Sequence, residues 1–141
     1  DYARLTAFLH SPSYTGNALA CTAALATLDI FATDDVIARN RELARRMSES
    51  TAGLADHPHV AEVRQTGMIL AIEMVRERAT GERYDWHERR GLRAYEHALA
   101  QGALLRPIGN VLYLMPPYVI EPEQIDWLAG IARGAVDAAC G

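Results

Sequence analysis

The sequence predicts an α/β fold in which a small antiparallel or mixed sheet is covered by helices on one side. Residues 60–74 alternate apolar and polar side chains in two short runs, the period of half-buried strands. Apolar residues recur at helical spacing before and after these runs. The Gly109-Asn110 pair between two apolar runs indicates a β-hairpin. We therefore expect two helices, two strands, a helix, a hairpin and a final helix.

The two N-terminal helices differ in their apolar pattern. The run ALACTAALATLDIFA, over about residues 18–32, is apolar on nearly every side, which is typical of a fully buried helix, and Asn17 can cap it. Thr33 or Asp34 can cap the second helix, which is amphipathic. Its apolar stripe consists of Val36, Leu43, Met47 and Leu54.

The strands are expected over residues 60–66 and 68–74, with Met68, Leu70, Ile72 and Met74 on one face. Residues 76–88 are polar and aperiodic, so we expect a loop there. A helix over about residues 89–101 is expected to turn Leu92, Tyr95 and Leu99 inward. The last helix begins with Pro122 at its first position. Its inward residues are predicted to be Ile125, Leu128, Ala132, Ala135 and Val136.

Composition narrows the class of protein. The 141 residues are 50% hydrophobic and 23% charged, as in ordinary globular proteins. A net charge of −4 argues against a nucleic-acid partner, because phosphate backbones select basic surfaces. We see no membrane-spanning run and no signal peptide. The two cysteines, Cys21 and Cys140, lie far apart and indicate neither a disulfide framework nor a zinc site, so a cytoplasmic location is expected.

The loop HSPSYTGN, residues 10–17, is the first candidate site. Its hydroxyls, on Ser11, Ser13 and Thr15, precede a helix start and could donate hydrogen bonds to a phosphate or carboxylate. The alternative is an ordinary capping loop whose hydroxyls satisfy their own backbone.

Arg106 is the second candidate, because it interrupts the first apolar run of the hairpin. Strand alternation places it beside Leu104 and Ile108, where its guanidinium needs a negative partner. It could bind a ligand carboxylate, reach water at a sheet edge, or pair with an internal acid. Tyr113, across the hairpin, and Tyr118 could line the same pocket or simply pack in the core.

The remaining polar clusters have simpler interpretations. No third metal ligand follows His57-Pro58-His59 at a suitable spacing, so a solvated turn is expected and no metal site is predicted. Arg89, Arg90 and Arg93 are most simply a solvated helix face. All 14 basic residues are arginines, so no lysine is available for a covalent bond to a carbonyl. The chain opens on Asp1 without a methionine, and we expect a piece of a longer protein.

The first motif, HSPSYTGNALACTAALATLDIF, resembles the class III pyridoxal-phosphate (PLP) aminotransferases, and the resemblance covers essentially the whole chain. The second motif, LLRPIGNVLYLMPPYVI, is more specific and resembles the biotin-pathway branch of that family. The resemblance implies the C-terminal part of a type I PLP-dependent aminotransferase fold. Residues 1–33 would end the large cofactor domain, with the phosphate loop and the buried helix, and residues 34–141 would form the small domain.

The resemblance also implies roles for individual residues. Pro12 and Ser13 match the pair that contacts the cofactor phosphate across a homodimer interface. Ser11 falls where the family often has a glycine that contacts substrate, so only a backbone contact carries over. Arg106 matches the arginine that holds the carboxylate of the keto acid, and Tyr113 matches, more weakly, a wall of that pocket. No catalytic residue is assigned, because the family's lysine lies upstream.

The implied reaction transfers an amino group from S-adenosylmethionine to 8-amino-7-oxononanoate, giving 7,8-diaminononanoate. This segment alone is not expected to catalyse it. Two alternatives stay open at this point: another class III aminotransferase acting on ω-amino acids or diamines, and a non-enzymatic α/β binding module.

Overall fold

A computed structural model describes residues 13–141. The chain divides into two compact units, Asp1–Asp35 and Val36–Gly141, and each is described by itself. This boundary lies close to the domain limits of 1–33 and 34–141 expected above, but the assignment of those domains to an aminotransferase stays a prediction. In the described part of the chain, no helix is both long and apolar enough to cross a membrane.

The described residues of the first unit form a turn at residues 13–16 and then the helix α1 (Ala18–Thr33). Asn17 caps it as predicted, since its side chain accepts a hydrogen bond from the Ala20 amide at 2.9 Å. The expectation that α1 is buried is not met within this chain, because none of its residues is buried. Apolar side chains such as Leu19 and Leu28 are 83% and 63% exposed. A helix that is apolar all round needs a covering surface, and these residues do not receive one here.

The second unit alternates helices and strands in an order close to the prediction. Short 3-10 helices at Ala52–Asp56 and Trp86–Glu88 lie among the longer elements. The longer elements are α2 (Val36–Thr51), β1 (Val60–Thr66), β2 (Ile69–Met74), α3 (Arg90–Ala100), β3 (Val111–Leu114) and α4 (Pro122–Cys140).

The sheet is antiparallel throughout, in the order β1-β2-β3. One face packs on the core and the other is open, as is usual for an antiparallel sheet. The predicted alternation in residues 68–74 is confirmed, since all four residues of the predicted face are buried. The open face carries charged residues: Arg64 lies 3.0 Å from Glu73, which also pairs with Arg83 at 3.0 Å.

The core is built from the predicted helix stripes together with the covered face of the sheet. The buried stripe of α2 and the following turn is confirmed, with Met47 1% and Leu54 0% exposed. In α4, Leu128 is only partly buried and the other four predicted residues are fully buried. Arg46 and Ser50 of α2 bind Asp126 of α4, and these hydrogen bonds lower the pKa of that carboxyl to about 2.

The first arm of the predicted hairpin is not a strand. Residues 104–107 are extended without ladder pairing, and only an isolated bridge joins Ile108 to Val111 across the turn. The turn itself is as expected, with Gly109 at φ +58°, a conformation that glycine adopts without steric cost. Among the described residues, the sheet therefore has three strands instead of the expected four.

The inward face of α3 is also different from the prediction. Leu92 and Leu99 are 37% and 49% exposed, whereas Gly91, Ala94 and Ala98 are buried. The small side chains allow α3 to approach α4 closely. A Cβ at Gly91 would lie 2.4 Å from the Gly109 carbonyl oxygen, so this position has no room for a side chain.

The contact at Gly91 generates a stability prediction. Gly91→Ala should lower the free energy of unfolding by about 1–3 kcal/mol, because the new methyl forces the hairpin turn away from α3. Gly130→Ala in α4 is the matched control, since a Cβ there meets nothing within 4 Å. That change should stabilise the protein by about 0.5–1 kcal/mol through helix propensity. Chemical denaturation of the purified protein measures both, and equal effects of the two substitutions would contradict the packing argument.

Candidate functional site

The described part of the HSPSYTGN loop is a tight turn. Tyr14 and Gly16 have positive φ angles of 65° and 75°, and the Asn17 amide donates to the Tyr14 carbonyl at 3.0 Å. Ser13 is exposed, and its hydroxyl has no hydrogen-bond partner within residues 13–141. Ser11 and Pro12 lie outside the described residues, so the structure does not locate them.

This turn fits a phosphate group chemically. The start of a helix leaves amide hydrogens without carbonyl partners, and Asn17 takes only the Ala20 amide. The free hydroxyl of Ser13 adds a further donor beside these amides. The chain offers no lysine, so it can contribute to holding a cofactor's phosphate but not to a covalent bond with its aldehyde.

Arg106 lies on the extended segment that leads into the hairpin turn. The alternation predicted for this segment is present even though the strand is not. Leu104 and Ile108 are 67% and 71% exposed, and Ala103 and Leu105 are buried. Arg106 therefore points outward with the two exposed apolar side chains on its face.

The Arg106 guanidinium has no internal counter-charge. Within residues 13–141 it makes neither a hydrogen bond nor an ion pair, so the internally paired arginine considered above is not what the structure shows. Arg106 and Tyr113 line one cavity of about 360 Å³, whose other walls include Met115 and Trp127. Tyr113 is half-buried and pairs with Ala71 in the sheet. The cavity thus combines a free guanidinium with aromatic and apolar walls, a combination suited to a carboxylic acid with an apolar body.

Arg106 also lines a second cavity, of about 570 Å³, on its other side. This cavity lies between the start of α3 and the Gly109-Asn110 turn, and its walls include Trp86, Arg89 and Tyr95. Sequence reasoning placed Arg89 on a solvated face and did not single out Trp86. No local sequence pattern could have shown that Trp86 and Arg89 line a cavity with Arg106, because the loop and the hairpin meet only in the folded unit.

A polar cluster around Tyr84 holds the loop that borders this second cavity. The ring of Tyr84 lies under two guanidiniums, with Arg90 4.5 Å and Arg76 5.3 Å from its centroid. Glu88 binds both arginines, with Arg90 Nη2 at 2.9 Å, and these contacts hold its pKa below the usual range. The Asn110 side chain donates to the Tyr84 carbonyl at 2.8 Å, which ties the loop to the hairpin turn.

Arg90, in this cluster, corrects one prediction. Arg90 was expected on a solvated helix face, but its side chain is 12% exposed and donates to the Ala139 carbonyl at 2.7 Å. Tyr84 is only 5% exposed, and burial beside the Cys140 thiol raises its pKa to about 12. Tyr84 and Arg90 therefore anchor the loop, and the raised pKa keeps the Tyr84 hydroxyl protonated at neutral pH.

The histidine pair 57–59 lies in a turn, as expected, but both rings have hydrogen-bond partners. His57 Nε2 lies 3.1 Å from Asp137 Oδ1, and His59 Nδ1 lies 2.7 Å from the Arg76 carbonyl oxygen. The His57 side chain is 15% exposed. Within residues 13–141, no group of three or more potential ligands is arranged to hold a metal ion.

Comparison with known proteins places these features in a family. The family model described as Aminotransferase class-III matches residues 2–136, so the chain belongs to the class III aminotransferases. It is 43% identical over 128 residues to the adenosylmethionine-8-amino-7-oxononanoate aminotransferase of Geobacter sulfurreducens, covering 91% of this chain and 28% of that protein. It is 34% identical over 131 residues to the putrescine–pyruvate aminotransferase of Pseudomonas aeruginosa, covering 92% of this chain and 28% of that protein.

Solved structures agree with the sequence comparison. The adenosylmethionine-8-amino-7-oxononanoate aminotransferase of Methanocaldococcus jannaschii superimposes with a TM-score of 0.85 at 34% identity, over 97% of this chain and 31% of that one. A PLP-bound aminotransferase mutant from Vibrio fluvialis gives a TM-score of 0.79 at 25% identity, over 84% of this chain and 26% of that one. The expected fold, part of a type I PLP-dependent aminotransferase with a small antiparallel sheet and helices, is confirmed. The chain spans less than a third of the length of these proteins.

Proposed function

We propose that the complete protein is a PLP-dependent transaminase that transfers an amino group from S-adenosylmethionine to 8-amino-7-oxononanoate, giving 7,8-diaminononanoate in biotin synthesis. Within this chain, the observation that most supports the proposal is the unpaired guanidinium of Arg106, which lines a cavity together with Tyr113. The name of the Geobacter relative supports the choice of substrates. In this proposal residues 1–33 end the large cofactor domain and residues 34–141 form the small domain. The protein acts as a cytoplasmic homodimer.

The residues of this chain bind and orient, whereas the cofactor, when bound, supplies the electron sink for amino transfer. The Ser13 hydroxyl donates a hydrogen bond to the cofactor phosphate, and Pro12 precedes Ser13 in the sequence. Arg106 holds the keto acid by its carboxylate, far from the reacting carbon, so that binding energy at one end positions the other. Tyr113 forms a wall of that pocket, and the backbone at Ser11 contacts substrate.

The role of Arg106 is tested in the complete enzyme. Arg106→Ala should raise the KM for 8-amino-7-oxononanoate about tenfold or more, because a charge-assisted hydrogen bond contributes roughly 1.5–3 kcal/mol. The KM for S-adenosylmethionine and the cofactor absorbance should stay unchanged. Arg78→Ala is the control, since Arg78 is also exposed and lines neither of the cavities at Arg106. An unaltered KM for the keto acid would refute the assignment.

The role of Ser13 is tested by cofactor retention. Ser13→Ala should weaken PLP binding by about tenfold through loss of one hydrogen bond to a charged group. Dialysis against phosphate-free buffer, followed by the cofactor absorbance, measures this loss. Ser48→Ala, an exposed serine of α2, should retain the cofactor like the parent protein. Equal retention in the Ser13 variant and the parent protein contradicts a phosphate contact.

A diamine aminotransferase is the second candidate, because the Pseudomonas relative is named for putrescine and pyruvate. The complete enzyme should transfer the amino group of S-adenosylmethionine to 8-amino-7-oxononanoate and should show no turnover of putrescine with pyruvate. Mass spectrometry of the products from both substrate pairs separates the two candidates. Preferential turnover of putrescine favours the second candidate and removes the biotin-pathway assignment.

A further inference from the structure

The 570 Å³ cavity between the start of α3 and the hairpin turn is lined by three arginines, Arg89, Arg90 and Arg106. The three arginines differ in whether an acidic side chain neutralises their charge. Arg90 is neutralised by Glu88, whose oxygen lies 2.9–3.0 Å from two of its guanidinium nitrogens. Arg89 and Arg106 are both exposed, and neither has a hydrogen-bond or ion-pair partner for its side chain within residues 13–141. The cavity therefore carries two uncompensated positive charges.

The acidic groups nearest in sequence are already engaged. Glu88 binds Arg90 and Arg76, and Asp85 accepts from His87 at 2.8 Å and lies 2.6 Å from its ring. These contacts hold the pKa of both carboxyls below their usual range. Asp85 and Glu88 are thus negative but directed to other partners. An anion that enters the cavity would therefore meet two guanidiniums for which no described acidic side chain competes.

The two free arginines are held by preformed backbone. Arg89 has a φ of +51°, a strained conformation for a residue with a side chain. Its amide donates to the Trp86 carbonyl at 3.1 Å, and its carbonyl accepts from the Leu92 amide at 2.9 Å. On the opposite wall, the close contact of Gly91 with the Gly109 carbonyl fixes the turn that follows Arg106. The backbone that carries both arginines is therefore already defined before a ligand enters.

The remaining walls are largely apolar and aromatic, with Trp86, Leu92, Tyr95 and Pro107 contributing. A volume of about 570 Å³ is that of a small-molecule site. An inorganic anion would bind the guanidiniums but would make no contact with the apolar and aromatic walls. A carboxylate at the end of a methylene chain uses both, because one carboxylate can accept hydrogen bonds from two guanidiniums.

We propose that Arg89 is a second carboxylate-binding residue, which shares with Arg106 the acid end of the keto acid substrate. The carboxylate lies at Arg106, which lines both cavities: Tyr113 borders it on one side, and Trp86, Leu92 and Tyr95 cover the adjoining methylene groups on the other. The proposal rests on the function proposed above and adds Arg89 as a determinant of specificity for a long-chain acid. It assigns no contact with the amino donor.

The test uses the complete enzyme and compares three substitutions. Arg89→Ala should raise the KM for 8-amino-7-oxononanoate about tenfold, the effect of losing one charge-assisted hydrogen bond, while kcat and the KM for S-adenosylmethionine change less than about twofold. Arg89→Gly relieves the positive φ and so should fold at least as well as the parent while showing the same rise in KM. Arg78→Ala, which removes an equally exposed positive charge outside this cavity, should leave all constants unchanged.

A second readout measures binding without turnover. Nonanoate should inhibit competitively against the keto acid, and its inhibition constant should rise about tenfold in Arg89→Ala, because only a charged acid gains from the second guanidinium. Nonanamide, which has the same chain without the charge, should inhibit the parent and the variant equally.

The outcomes separate this inference from the proposed function. If Arg106→Ala raises the KM for the keto acid and both Arg89 variants leave it unchanged, the second carboxylate contact is wrong and the proposed function stands. If neither arginine matters, both fail. Equal effects of Arg78→Ala and Arg89→Ala would indicate general surface charge and would also overturn the role of Arg89.

Discussion

The close approach of α3 to its neighbours is the constraint on which the candidate site depends. The buried face of α3 is made of Gly91, Ala94 and Ala98, so the helix lies almost directly against α4 and the hairpin turn. At Gly134 of α4, a side chain would lie 2.7 Å from the His97 ring. In an interior packed this closely, one element cannot shift without displacing its neighbours, because there is no empty space for it to enter. The segment carrying Arg106 is therefore held by packing, although it lacks the ladder of hydrogen bonds that a strand would give it.

The loop before α3 provides the second support of the site. Hydrogen bonds and ion pairs of Arg76, Glu88 and Arg90 surround the Tyr84 ring and extend to the Ala139 carbonyl in α4. The Tyr84 carbonyl accepts from Asn110 in the turn, whereas the buried Tyr84 hydroxyl has no hydrogen-bond partner among the described residues. The contacts that are made hold the loop in one arrangement, because breaking them would leave charged groups without a partner. As a result, the only unbalanced charges on this cavity wall belong to Arg89 and Arg106, among the described residues. The unit Val36–Gly141 thus holds the unpaired guanidiniums of Arg89 and Arg106 on a closely packed backbone, an arrangement suited to binding a carboxylic acid.

Much of the fold follows from periodicity. The alternation in residues 60–74 predicted both strands to within a residue, and Asn17 and Pro122 marked the starts of their helices. Such signals are local: a cap or an alternating face acts within a few residues, so one sequence is enough to detect it. Among the predictions that failed, two show how packing between distant segments overrides a local pattern. Leu92 and Leu99 of α3 are exposed, because the face of α3 that packs in the folded unit is the one with small side chains. Residues 104–107 form no strand pairing with the sheet.

The sequence by itself therefore determined the kind of elements, the turn at Gly109, the family motifs and the unusual position of Arg106 in an apolar run. Tertiary structure alone decided that this arginine has no internal partner and that it faces two cavities. It also brought Arg89 into the same cavity as Arg106, and it paired Arg90 with Glu88 and the Ala139 carbonyl. The physical reason is that charge compensation depends on distances between segments far apart in the chain. Those distances arise only when the helices have packed.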